Sequence, residues 1–307
     1  MASTTDIREQ ERLLRRATQA SVAVALTLIL AKGIAWWLSG SVALLASLLD
    51  SVMDSAASLV TLLAVRYSMV PADAEHRFGH GKAEALAGLG QGVFITLSAL
   101  FLLHEGVQRL LAPAPVGATG VALAVMVFSI VVTLALVRYQ RYVIKHTGST
   151  AIAGDSLHYA SDLAMNVAII GAIIAASFGF LRVDAIVALV IGVMVLFGAL
   201  GIGYRAAQVL LDRELPEAER GEIAAVIQAQ PGVLGFHDLR TRLSGRTRFV
   251  QVHVEVDEGL PLREAHDRLV AVQRAVQQAV PGAEVMIHAD PVRHGPVDGV
   301  GGRQADA

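Results

Sequence analysis

There is no cysteine in these 307 residues. Disulfides and thiolate metal sites are excluded, and cysteine usage gives no reading of the redox compartment. Any bound metal must be held by His, Asp and Glu. Charge is scarce as well. Only 17% of residues are Asp, Glu, Lys or Arg, against about 25% in ordinary soluble domains. The formal net charge of −2 offers no electrostatic basis for a nucleic-acid partner. Phosphate-loop chemistry is missing too. Gly88, Gly90 and Gly92 are not followed by Lys-Ser/Thr, so ATP drive is unsupported and close helix packing is the better reading. What abounds is apolar side chain: 54% of residues, with a mean hydropathy of +0.55.

Charge is also unevenly spread. Residues 1–213 hold 28 charged side chains, whereas the 81 residues 214–294 hold 21. The shift marks an apolar membrane part and a soluble C-terminal part. The division reads as a cytoplasmic N-terminus at 1–16, a six-span transmembrane domain at 17–212 and a cytoplasmic metal-binding domain at 213–292. A disordered tail follows at 293–307, Gly-rich and without hydrophobic pattern.

A bilayer core of about 30 Å needs about 20 apolar helical residues. Six stretches qualify, at 17–38, 41–67, 84–111, 117–142, 153–178 and 183–210. The run from Ala17 to Leu38 is too long for a signal peptide and reads as an uncleaved first span. Gly40, Pro113–Pro115 and Ser177–Gly179 break the runs at one set of ends, Pro71 and the polar stretch to Lys82 at the other. With both termini inside, the inner flanks hold twelve Lys and Arg, among them Arg12, Arg15, Arg16, Arg66 and Lys145. The outer flanks hold only Arg109 and Arg182. The positive-inside rule then places both termini in the cytoplasm.

After Pro216 the pattern becomes α/β. Glu217–Gln230 and Leu262–Val280 read as helices, and Gly235–Leu243, Arg246–Asp257 and Glu284–Ala289 as strands, the first two joined at Ser244-Gly245. The order αββαβ predicts a small ferredoxin-like α+β domain, its sheet covered on one face by helices.

The chemistry lies in the spans. Asp50 and Asp54 fall in the second, His158 and Asp162 in the fifth, each pair spaced i, i+4 and so on one helix face. Intramembrane charge costs about 2.5–3.5 kcal/mol per residue on insertion scales, so it usually marks function. Two such helices face to face offer three carboxylates and one imidazole, a set suited to a divalent metal. Lys32 is the lone cation of the first span and cannot neutralise three carboxylates. A dication or protons can. Metal needs ionised carboxylates and neutral imidazole, so the two compete for one site, and exchange of protons for metal follows. Asp155 is placed to help draw cations, but it also lies near the start of the fifth span, where Asp is favoured in any case.

Two further groups lie outside the spans. Asp73, His76 and His80 recur at i, i+3, i+7 on the polar loop after the second span, as a three-ligand set or a solvated flank. In the strand around His253, alternation sends the valines to the core and His253 to the other face with Gln251 and Glu255. His288 and Asp290 share a face of the last strand, and His237 lies near the start of the first. These predict a cluster on the open side of the sheet.

Together these motifs resemble the cation diffusion facilitator family. Asp-x-x-x-Asp on a second span, His-x-x-x-Asp on a fifth, six spans and an αββαβ tail carry the resemblance. The run Pro71-Ala-Asp-Ala-Glu-His-Arg-Phe-Gly-His-Gly-Lys-Ala-Glu84 is similar to the loop of its bacterial ferrous-iron/zinc efflux branch. The resemblance covers about residues 10–292. It implies a zinc (Zn2+)/proton antiporter of the bacterial inner membrane, working as a homodimer by alternating access. It implies a transport site of Asp50, Asp54, His158 and Asp162, and a loop site of Asp73, His76 and His80. It also implies a binuclear cytoplasmic site of His237, His253, His288 and Asp290 with His266 nearby. Lys82 and Asp212 correspond to a charge pair at the membrane surface of the dimer, and Leu157 to a hydrophobic gate. Asp50 stands where strictly zinc-selective members carry His, which admits cadmium (Cd2+) and ferrous iron (Fe2+). The His-rich loop of many eukaryotic members is absent between the fourth and fifth spans, where His146 stands alone. Three rivals remain open: an intramembrane hydrolase using paired aspartates, a non-conducting metal sensor or scaffold, and a related transporter specialised for manganese or iron.

Overall fold

Each long apolar run forms one helix in the structure, a computed structural model that describes residues 4–39, 42–112, 120–178 and 183–292. The expected breaks at Gly40, Pro113–Pro115 and Gly179, the Arg182 flank and the tail from 293 lie outside the described residues. The helices are α1 (Thr4–Ser39), α2 (Val42–Ser68), α3 (Lys82–Leu111), α4 (Gly120–Thr147), α5 (Thr150–Ser177) and α6 (Val183–Leu210). The basic N-terminal stretch continues without a break into the first span as part of α1.

Five of these helices are long and apolar enough to cross a membrane, among the described residues, where six were expected. The exception is α5. It carries Asp155, His158, Asp162 and Asn166, and side chains in its second half, among them Ala172 and Ile173, lie outside the described residues.

Packing in this unit is inverted relative to a water-soluble bundle. Its buried faces carry small and hydroxylated residues such as Ala17, Ala99, Ala199, Ser21, Ser58 and Thr61. Leu30, Phe101, Met194 and Phe197 point outward, each at least 66% exposed. Lipid is as apolar as leucine, so helices in a bilayer gain from close backbone approach and interhelical hydrogen bonds rather than from hiding large side chains. At Gly92 a Cβ would lie 3.0 Å from the Cα of Gly203 on α6, so the α3–α6 contact depends on glycine.

The chain divides into two compact units, and residues 213–243 with 247–292 form the described part of the second. Here α7 (Glu217–Gln228), β1 (Gly235–Ser244), β2 (Thr247–Asp257), α8 (Leu262–Ala279) and β3 (Ala283–Val292) follow in order. The sheet order is β1-β2-β3, with β2 and β3 parallel and His253 opposite His288. Val250, Val252, Val254 and Val256 pack with Ile223 and Ile227 of α7 and Val272 and Val276 of α8. Both helices therefore cover one face. A ferredoxin-like arrangement has four strands in the order βαββαβ. Three strands are found among the described residues, so the expectation holds as a small α+β domain and not as the full ferredoxin-like fold.

Candidate metal centres

On α2 and α5 the i, i+4 pairs meet. Nε2 of His158 lies 2.7 Å from Oδ1 of Asp54 and 3.6 Å from Oδ2 of Asp162. One imidazole nitrogen thus faces two carboxylates from two helices. Asp54 and His158 are buried. Ligand atoms of the three residues lie within 4.8 Å of one another, close enough to share one cation. Phe94 of α3 stands edge-on to the imidazole, with ring centroids 5.9 Å apart.

Asp50 was expected in this group and is not in it. Four residues of helix rise carry it about 6 Å along the axis from Asp54, and its side chain is exposed. Lys32 donates to Ser51 Oγ at 2.6 Å, beside Asp50 in the chain. Leu157 packs instead against the α3–α6 cluster of Ile95, Ala99, Val195 and Ala199, and a Cβ at Gly198 would meet it at 3.0 Å.

Asp155 is not an ordinary helix-start residue. It is 1% exposed. Ser58 Oγ of α2 donates to its Oδ1 at 2.8 Å, and Gln140 Nε2 of α4 to its Oδ2 at 2.7 Å. Gln140 also donates to Ser21 Oγ of α1 at 2.9 Å. The Tyr159 hydroxyl stands 3.0 Å from Ser58 Oγ. Four helices are tied through one carboxylate, one turn before His158. Sequence reasoning missed this. The only available signal was a set of polar residues on four apolar helices.

The loop group also assembles. Asp73 Oδ1 accepts the backbone N–H groups of Glu75 at 3.0 Å and His76 at 2.6 Å, which folds the loop on itself. Those hydrogen bonds, the His76 one foremost, hold the Asp73 carboxyl below its ordinary pKa. His76 Nδ1 lies 3.5 Å and His80 Nε2 3.4 Å from the same carboxylate. His80 is buried against Tyr67, and its Nδ1 lies 3.3 Å from the Val70 carbonyl. When Nδ1–H donates to that carbonyl, the neutral ring keeps its lone pair on Nε2, free to ligate a cation shared with Asp73, the arrangement that orients metal-binding histidines. Lys82, just beyond, pairs with Asp212 at 2.9 Å.

On the tail sheet, Asp290 is the centre. Its Oδ2 lies 3.0 Å from both His237 Nε2 and His253 Nδ1, and its Oδ1 3.4 Å from His288 Nε2. A hydrogen bond from His253, first among several causes, holds the Asp290 carboxyl below its ordinary pKa. The His253 ring also lies 4.8 Å from that of His288 and 5.1 Å from that of His237. His237 reaches the group through a local irregularity. Phe236 and Leu239 both pack on the core although three residues apart, and Asp238 between them has φ 53°. The positive φ at Asp238 interrupts the regular alternation of β1 next to His237, whose Nε2 reaches Asp290. His266 is exposed on α8 and is absent from the cluster.

The description "Cation efflux transmembrane domain" matches residues 18–211, and "Cation efflux protein, cytoplasmic domain" matches 215–292. The chain belongs to the cation efflux family. Its curated relatives include the cation-efflux pump FieF of Klebsiella pneumoniae, 51% identical over 91% of this chain and 93% of that one. FieF of Salmonella choleraesuis is 50% identical over 94% of this chain and 96% of that one. A solved structure titled as the zinc form of CzrB, a candidate zinc transporter, is 36% identical over 26% of this chain and 92% of its own. Its TM-score of 0.25 is too low to bear on the fold. This cation efflux protein is thus a multi-pass membrane transporter of divalent cations, not an enzyme, and the intramembrane-hydrolase alternative falls.

Proposed function

We propose that this cation efflux protein exports zinc in exchange for protons, accepting cadmium and ferrous iron as well. It works as a homodimer in a bacterial inner membrane, with six spans and both termini cytoplasmic. The observation that carries the reading is the meeting of Asp54, His158 and Asp162 on two apolar helices. In lipid such a group must be neutralised, and a dication or protons do so interchangeably. Asp54 and Asp162 offer oxygen and His158 offers Nε2 to the transported ion. Asp50 joins them as the fourth ligand when α2 moves relative to α5, so the complete set exists in one state of the cycle. Leu157 closes the path beside it.

The loop set Asp73, His76 and His80 holds a second ion, fixed in advance by the turn at Asp73. On the tail, His237, His253, His288 and Asp290 would hold metal, with neutral imidazole nitrogens and the Asp290 carboxylate supplying the ligands. Among the described residues α7 and α8 pack on the opposite face of the sheet, and Met286 on this one is 61% exposed. A second copy of the chain fits such a face, so metal there joins the protomers, with the Lys82–Asp212 pair at the membrane surface.

Metal-dependent flux in proteoliposomes tests the reading. Asp54→Ala, His158→Ala and Asp162→Ala should each abolish zinc movement while the dimer persists. Asp50→His should narrow the range of metals toward zinc. Native-rate zinc flux after removal of all four side chains would overturn the proposal.

A further inference from the structure

Arg12 and Arg15 stand one turn apart on α1, and Arg66 lies in the last turn of α2. The helix ends that carry them are locked together. Leu14 and Ala17 of α1 share a buried cluster with Val65 of α2, and Leu13 and Met69 pack against it. The three arginines therefore surround a concavity of about 590 Å3 whose wall also includes Glu11, Met69 and Pro71.

None of the three guanidinium groups has a hydrogen-bonding or ion-pair partner among the described residues, and Glu11 bonds to none of them. Arg109, Arg248 and Arg268 hold carboxylates at 3.1, 2.7 and 2.9 Å. Three cations held around one hollow by packed helices, with a single carboxylate, leave an unanswered positive field. The planar fork of arginine matches a phosphate. Both helices are long and apolar enough to span, so the hollow sits where their apolar surfaces end. Its wall is part apolar, through Met69 and Pro71. A soluble anion has no use for that wall, whereas a lipid places its glycerol and upper acyl carbons there.

We propose that this pocket binds the phosphate headgroup of an anionic phospholipid at the membrane surface where α1 begins and α2 ends. Such lipids collect at basic sites between spanning helices. The loop bearing Asp73, His76 and His80 leaves from the pocket's edge at Pro71, so the lipid braces the base of that loop.

The test uses the full-length protein in neutral detergent, titrated with phosphatidylglycerol, phosphatidylcholine or inorganic phosphate, with bound lipid counted by native mass spectrometry. A variant carrying Arg12→Gln, Arg15→Gln and Arg66→Gln is compared with one carrying Arg16→Gln, Arg138→Gln and Arg141→Gln, which loses equal charge outside the pocket. Phosphatidylglycerol should bind the native protein at least about ten-fold more tightly than phosphatidylcholine. That preference should vanish in the pocket variant and persist in the other. Equal loss in both variants would reduce the effect to diffuse attraction and overturn the proposal. So would displacement of the lipid by equimolar inorganic phosphate, which would mark a soluble-anion site. Should the triple variant fail to fold, Arg66→Gln alone decides by the same comparison.

Discussion

The same side chains, His and Asp, build a cluster between α2 and α5 and another on the tail sheet, in opposite surroundings. Asp54 and His158 are 9% and 7% exposed. His237 and His288 of the tail have side chains 51% and 67% exposed. Water can solvate the tail cluster whatever its charge. The membrane cluster has no such recourse, so its occupancy by metal or protons is bound up with the shape of the helices around it. A buried cluster is suited to moving an ion, and an open one to sensing an ion or joining subunits.

If that contrast holds, the largest effect comes from the membrane cluster. Asp54→Ala should cut zinc flux by at least about 100-fold, the upper range for loss of even an outer partner of a metal ligand. Proteoliposome flux would read this, while the melting temperature of the zinc-free protein stays near native. In the tail, His237→Ala with His288→Ala should leave flux measurable. It should remove a zinc-dependent stabilisation of about 2–3 kcal/mol at metal about 100-fold above Kd, seen as the loss of a zinc-induced rise in melting temperature. Equal flux losses from both sets of variants would erase the comparison.

Asp155 sharpens it. Asp155→Ala leaves the donors of Ser58 and Gln140 unmet in a buried setting, and should destabilise the membrane unit by about 1–3 kcal/mol. Asp155→Asn, which keeps an acceptor, should cost less. Thermal unfolding in detergent compares the two. The smallest effect concerns acid. Asp290 is held below the ordinary carboxylate pKa, so its contribution is complete above about pH 4 and fades as pH falls through the lowered value. Asp290→Asn should flatten the acid limb of the zinc-free tail's stability curve.

Much of this was legible in the sequence because the signals are periodic. Apolar runs gave the helices, i, i+4 spacing brought Asp54, His158 and Asp162 together, and strand alternation put His253 and His288 on one face. What was not legible depends on neighbours from elsewhere in the chain. Asp155 is understood only through Ser21, Ser58 and Gln140, which belong to three other helices. Asp50 shares a helix face with Asp54 but sits a full turn away, and one imidazole nitrogen reaches only so far. The strand irregularity beside His237 rests on the positive φ of Asp238, for which no glycine gave notice. His266 lies near the tail site in the expected pattern, yet its helix covers the face away from the cluster.

The most direct test of the central claim is zinc entry into proteoliposomes with lumenal pH recorded at the same time. Metal and protons competing for the α2–α5 cluster predict that zinc entering the lumen drives protons out, so lumenal pH rises in step with zinc and neither signal appears in Asp54→Ala. Zinc entering at the native rate with lumenal pH unchanged would contradict the account.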